Sequence, residues 1–141
     1  MNKKAISALL IFSLLICIIS SGHADTIQPR YSHVHTIAAG VELNGDSLWC
    51  FGQGAGIYLD TYTFLSVRLQ RLSEDGGSWT THRRWSDSSS GPISSVVDTN
   101  VTVSPGYYYR VYVITQIQDA DGNILETVSM YSRVVHYPAT P

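Results

Sequence analysis

After about residue 34 the chain alternates apolar and polar residues with a period of two, and no stretch there repeats at the helical i, i+3, i+4 spacing. In the run from Tyr62 to Leu72, Leu65, Val67 and Leu69 share one face, while Phe64, Ser66, Arg68 and Gln70 share the other. The run from Tyr107 to Ile117 sets Tyr109, Val111 and Val113 against Tyr108, Arg110, Tyr112 and Ile114. Shorter strands are predicted over His35–Leu43, Val97–Val103 and Ser47–Gly52, the last with Leu48 and Cys50 opposite Trp49 and Phe51. Two more cover Trp79–Trp85, with both Trp residues, Thr81 and Arg83 on one side, and Leu125–Tyr137. Turn formers separate these runs: Asn44-Gly45, Asp75-Gly76-Gly77, Ser104-Pro105-Gly106 and the segment Asp119–Asn123. Gly52, Gly54 and Gly56 are expected to loosen the chain, and Ser86–Pro92 reads as a polar loop. Seven short strands joined by turns predict an all-β, antiparallel seven-stranded sandwich.

The first two dozen residues follow another pattern. Lys3 and Lys4 precede an apolar run from Ala5 to Ile19, and Gly22-His23-Ala24 supplies the small residues of a cleavage site. This is the pattern of a secretory signal peptide cut between Ala24 and Asp25, and its apolar run is short of the roughly 20 residues of a spanning helix. The expected organisation is a leader over 1–24, an arm over 25–34, the sandwich over 35–137 and a tail over 138–141. The bulky Ile16 before Cys17 argues against lipid attachment. Cys50 then stands alone, so the domain is expected to hold together by its core, with Cys50 a small buried residue rather than a reactive thiol. Removing the leader leaves seven Arg, no Lys and all eleven acidic residues, a net charge of −4. That balance speaks against nucleic acid as a partner and against membrane insertion once the leader is gone. Export speaks against a cytosolic enzyme.

The corner between the fifth and sixth strands has its own logic. Pro105 fixes φ, Gly106 tolerates positive φ, and Tyr109 can bury its ring and return its hydroxyl to the upstream backbone. The segment Val103 to Val113 thus resembles the tyrosine corner of fibronectin type III and immunoglobulin-like domains. Cys50 falls where such domains carry the first cysteine of their inter-sheet disulfide, and Val111 occupies the second position. A wider resemblance runs through Pro29-Arg30-Tyr31, Cys50-Phe51-Gly52, Val67-Arg68-Leu69-Gln70-Arg71, Gly77-Ser78-Trp79-Thr80 with Trp85-Ser86, Gly106-Tyr107-Tyr108-Tyr109-Arg110-Val111 and Tyr137. In that order these pieces are similar to a family of short exported Gram-positive bacterial proteins described as a domain of unknown function. The resemblance implies a fold and a compartment outside the cell, and no activity.

Candidate chemistry is sparse. His33 and His35, two apart on a strand, would share a face as two metal ligands do, but no third ligand is near in sequence. Asp119 and Asp121 open a segment like a calcium loop, yet Gly122 follows too soon and Met130 holds the twelfth position, so a hairpin turn is the plainer reading. No spacing nominates a catalytic nucleophile, and no cofactor is expected. What remains is a surface. With Tyr109 inside, Phe64, Arg68, Tyr108, Arg110 and Tyr112 would point outward from two adjacent strands, an aromatic–arginine composition suited to recognition. The expected function is a secreted, non-enzymatic binding module for an extracellular protein or carbohydrate. The alternatives are a secreted antimicrobial or toxin-like effector and a structural subunit of an exported assembly.

Overall fold

The computed structural model describes residues 31–140; the leader with its Ala24–Asp25 cleavage site, the first part of the arm and Pro141 lie outside the described residues. Within them the chain is an antiparallel β-sandwich without a helix. The strands are β1 (Val34–Asn44), β2 (Ser47–Gly56), β3 (Tyr62–Ser73), β4 (Gly76–Ser90), β5 (Ser95–Thr102), β6 (Tyr107–Gln118), β7 (Ile124–Tyr131) and β8 (Val135–Tyr137). One sheet runs β1-β2-β5; the other runs β4-β3-β6-β7, with β8 also paired to β6 beyond the end of β7. The core between them is built from Leu48, Cys50, Leu65, Val67, Leu69, Tyr109, Val111 and Val113, as the alternation requires. Burial pushes the Cys50 thiol up to about 12, which keeps it protonated and inert.

Four local expectations change. The last predicted strand divides into β7 and β8, so there are eight strands where seven were expected. The break is at Ser132, which uses its own groups in place of a ladder: its N–H donates to the Val111 carbonyl and its hydroxyl oxygen accepts the Val111 N–H, both at 2.8 Å. Gly52, Gly54 and Gly56 do not loosen the chain but continue β2 and pair with β1, facing inward at the closest approach of the two sheets. A Cβ at Gly52 would lie 2.3 Å from Val67 Cγ2, and one at Gly54 would lie 2.3 Å from Thr115 Oγ1. The polar stretch Ser86–Ser90 is not a loop; it is the second half of β4, paired with Tyr62–Ser66. Finally, β4 skips His82 between the pairs Leu69–Arg83 and Gln70–Thr81. This bulge reverses the alternation, so Trp79 and Trp85 do not share a side. Trp85 packs against the core, and Trp79 turns to the outer face.

The corner forms as expected. β5 belongs to the small sheet and β6 to the large one, and Ser104-Pro105-Gly106 crosses between them with Gly106 at φ +86°. Tyr109 is fully buried, and its hydroxyl donates to the Ser104 carbonyl at 2.8 Å. Burial raises its pKa, and the bond to Ser104 works in the opposite direction. Gly106 also donates to the Tyr137 carbonyl at 2.7 Å, which ties β8 to the corner.

The opposite seam, between β1 and β7, is closed by one carboxylate. Glu126 accepts the N–H groups of Ser32 (3.2 Å), His33 (2.7 Å) and Val34 (2.9 Å). Burial raises its pKa, but the N–H groups of His33, Ser32 and Val34 outweigh that and hold it below its ordinary 4.5. A group with a depressed pKa stabilises the fold above its ordinary pKa and ceases to do so as the pH falls through the folded-state value. Glu126→Gln is therefore expected to cost about 1–2 kcal/mol at neutral pH, the charged bonds being discounted for exposure. The deficit should shrink as the pH is taken below 4.5. Urea unfolding of both proteins across that range measures it, and a deficit independent of pH would contradict the assignment.

Candidate ligand-binding face

Directly opposed residues of an antiparallel pair point the same way, so the register defines the outer face of the five-stranded sheet. From β3 it carries Tyr62, Phe64, Ser66, Arg68 and Gln70; from β6, Gln116, Ile114, Tyr112, Arg110 and Tyr108. On β4, Ser88, Ser86 and Arg84 lie opposite Phe64, Ser66 and Arg68. β7 and β8 add Tyr131 beside Tyr112 and His136 beside Tyr108. All five residues nominated from the sequence, Phe64, Arg68, Tyr108, Arg110 and Tyr112, stand on this face.

They do not act as one cluster. Arg110 lies between two rings, 4.2 Å from the Trp79 centroid and 4.1 Å from that of Tyr131, and its Nε donates to Gln70 Oε1 at 2.9 Å. Tyr131 stacks in turn on Tyr112 at 4.4 Å, and Arg68 reaches over Tyr112 at 6.0 Å. This ladder ties β4, β3, β6 and β7 together by cation–π and stacking contacts, each worth about 0.5–1 kcal/mol at exposed sites. Tyr108 forms a separate stack with His136 at 4.3 Å, and the His136 imidazole meets the Glu74 carboxylate. The rings of Trp79, Tyr108, Tyr112 and Tyr131 are thus already engaged within the fold.

Phe64 is different. It is 42% exposed and borders a shallow depression of about 530 Å³. Ser66, Arg68, Ser86, Ser88, Ile114 and Gln116 line the rest of it. Asp87 also touches the rim, but its carboxylate accepts the Val96 N–H at 3.0 Å, across toward β5. Arg68 Nε is buried and has no hydrogen-bond partner among the described residues. None of the outward strand positions on this face is an Asp or Glu. Among the described residues the only ion pair is His136–Glu74, so no carboxylate neutralises Arg68, Arg84 or Arg110. The face is a local excess of positive charge on an acidic chain.

Sequence reasoning missed Arg84, Ser86, Ser88 and Gln116. The first three stand on β4: Arg84 lies within the strand predicted over Trp79–Trp85, but its place beside Arg68 depends on the pairing with β3, and the run of serines hid the strand at Ser86 and Ser88. Gln116 continues the outward row of β6 and was legible by counting two from Ile114. The other candidates resolve into local structure. His35 is the extra residue of a β1 bulge, so the alternation meant to align it with His33 fails, and His33 packs edge-on against Tyr58 at 5.6 Å. Asp119 accepts the Asn123 side-chain amide at 2.9 Å and the N–H groups of Asn123 and Asp121 at 2.8 and 2.9 Å. The Asn123 amide and then these backbone donors hold its carboxyl below the usual range, which is the chemistry of a turn. Among the described residues no three His, Cys, Asp or Glu side chains gather as a metal site would require.

No family model matches the chain, and no curated protein matches it. Several solved structures are similar to it, a sporulation control protein and a curli protein among them. The sporulation control protein Spo0M of Bacillus subtilis aligns with 78% of this chain at 11% identity and a TM-score of 0.44; this chain spans about half, 51%, of that one. The E. coli curli protein CsgC aligns with 68% of this chain at 14% identity and a TM-score of 0.38, over 95% of its own length.

Proposed function

We propose that the chain is a secreted, non-enzymatic binding module that meets an extracellular ligand on the outer face of its five-stranded sheet. The observation that carries this reading is the depression beside exposed Phe64, on a face whose arginines lack any carboxylate partner among the described residues. A surface serving only to cover the sheet gains nothing from leaving cations unpaired, whereas a recognition surface does. The leader pattern of residues 1–24 and the resemblance to short exported bacterial proteins support a compartment outside the cell. The buried, unreactive Cys50 suits such a place, since the fold needs no disulfide.

Surface plasmon resonance of the purified chain over immobilised dextran, polygalacturonate and polyglutamate tests the location of binding. Phe64→Ala and Gln116→Ala are expected to weaken whichever interaction is seen by about tenfold, the effect of losing about 1.4 kcal/mol. Gln53→Ala, on the outer face of the three-stranded sheet, should leave it unchanged. Loss with Gln53→Ala alone, or no binding to any of the three surfaces, overturns the reading.

A further inference from the structure

We infer that the depression is an anion subsite flanked by Arg68 and Arg84, and that its ligand is an acidic polysaccharide bearing carboxylates. This rests on the face proposed above and adds the chemistry of what binds there. Arg68 and Arg84 are direct cross-strand partners, and such positions hold their Cβ atoms about 5 Å apart. Like charges in that relation repel, and among the described residues no carboxylate forms an ion pair with either: Asp87, at the rim, accepts the Val96 N–H instead. Sheets ordinarily place an opposite or neutral residue there. Nor does the Arg68 guanidinium find full compensation inside the fold, since its covered Nε has no hydrogen-bond partner among the described residues. A carboxylate from outside would compensate the Arg68 charge at the guanidinium nitrogens beyond the covered Nε, and would lower the repulsion with Arg84.

The rest of the lining selects the kind of molecule that carries the carboxylate. Ser66, Ser86, Ser88 and Gln116 offer hydroxyls and an amide, groups that exchange hydrogen bonds with sugar hydroxyls. Phe64, 42% exposed and lining the depression, offers an apolar ring to the C–H surface of a pyranose. An acidic peptide fits less well. The depression lies over β3, whose two neighbours β4 and β6 already take its backbone groups, so no strand can be added there. Single-stranded nucleic acid runs its bases over successive free rings, and Trp79, Tyr112, Tyr131 and Tyr108 are covered by arginine, by His136 or by each other, which leaves Phe64 and Tyr62 at one end of the face.

The test compares affinities and stability in the same purified proteins. Polygalacturonate should bind more tightly than dextran of similar length, and its affinity should fall as salt is raised. Arg68→Gln and Arg84→Gln should each weaken binding of polygalacturonate by about tenfold or more. In the free protein Arg84→Gln should unfold at an equal or higher temperature, because it removes a repulsion. A purely structural Arg84 would instead lower the unfolding temperature, and that result overturns the inference. Equal affinity for dextran and polygalacturonate, with Phe64→Ala still disruptive, leaves the face standing and removes the anion subsite. Preference for polyglutamate over polygalacturonate overturns the sugar assignment in favour of an acidic polypeptide.

Discussion

Gly52→Ala is expected to destabilise the sandwich by about 2–3 kcal/mol, lowering its thermal midpoint by about 8–15 °C. On an ordinary strand the same change is favourable or neutral, because alanine loses less freedom on folding, by about 0.4–1 kcal/mol. Gly52 has no positive φ, so its backbone accepts a side chain without strain. Steric crowding decides the sign. The new methyl would fall 2.3 Å from Val67 Cγ2 and 3.1 Å from Val113 Cγ2. Valine cannot swing a methyl aside freely, since its branched Cβ allows few rotamers, and both valines are fully buried. The sheets must part, which loosens contacts along their whole line of approach. Val67→Ala should therefore compensate, and the double mutant should be about 1–2 kcal/mol more stable than the sum of the single effects. Thermal unfolding of the four proteins completes the cycle, and additive effects would refute the close approach.

Tyr109 carries the second large effect. Tyr109→Ala is expected to cost about 3–5 kcal/mol, the range for emptying a buried aromatic position. Against a total stability of about 5–15 kcal/mol for a domain of this kind, that leaves little or nothing. Tyr109→Phe isolates the hydroxyl. It leaves the ring in place and the Ser104 carbonyl without its donor, for about 0.5–1.5 kcal/mol. The two variants together separate ring burial from the bond that fixes the corner. Denaturant midpoints give both, and a Tyr109→Phe protein as unstable as Tyr109→Ala would show that the hydroxyl, not the packing, dominates.

The parts of this architecture that could be read from the chain are those where one face is dry and the other wet. β3 and β6 are such strands: Tyr109 indoors fixes by parity that Tyr108, Arg110 and Tyr112 face outward, and the buried row Leu65, Val67 and Leu69 does the same for Phe64 and Arg68. β4 is an edge strand with most of its residues exposed, so its composition lacks an apolar period and Ser86–Ser90 imitated a loop. The reversal at His82 is a property of pairing, invisible until the partner strand is known. Gly52, Gly54 and Gly56 misled for another reason: a glycine chosen for flexibility and one chosen for the room its missing Cβ leaves look alike in one dimension. Their spacing of two was the available clue. The candidate site was half legible, since β3 and β6 announced their outward residues while the serines and Arg84 contributed by β4 required the three-dimensional register.

The Glu126 clasp also has a mechanical meaning. It binds three consecutive amides at the point where the chain enters the sandwich, and it sits on a strand of the opposite sheet. Tension applied upstream of Tyr31 would reach this carboxylate before the β1–β2 ladder, and the load would be divided over three bonds to one side chain. Protonating that side chain would disable the catch, and the same pull would then open β1 from its end like a zip.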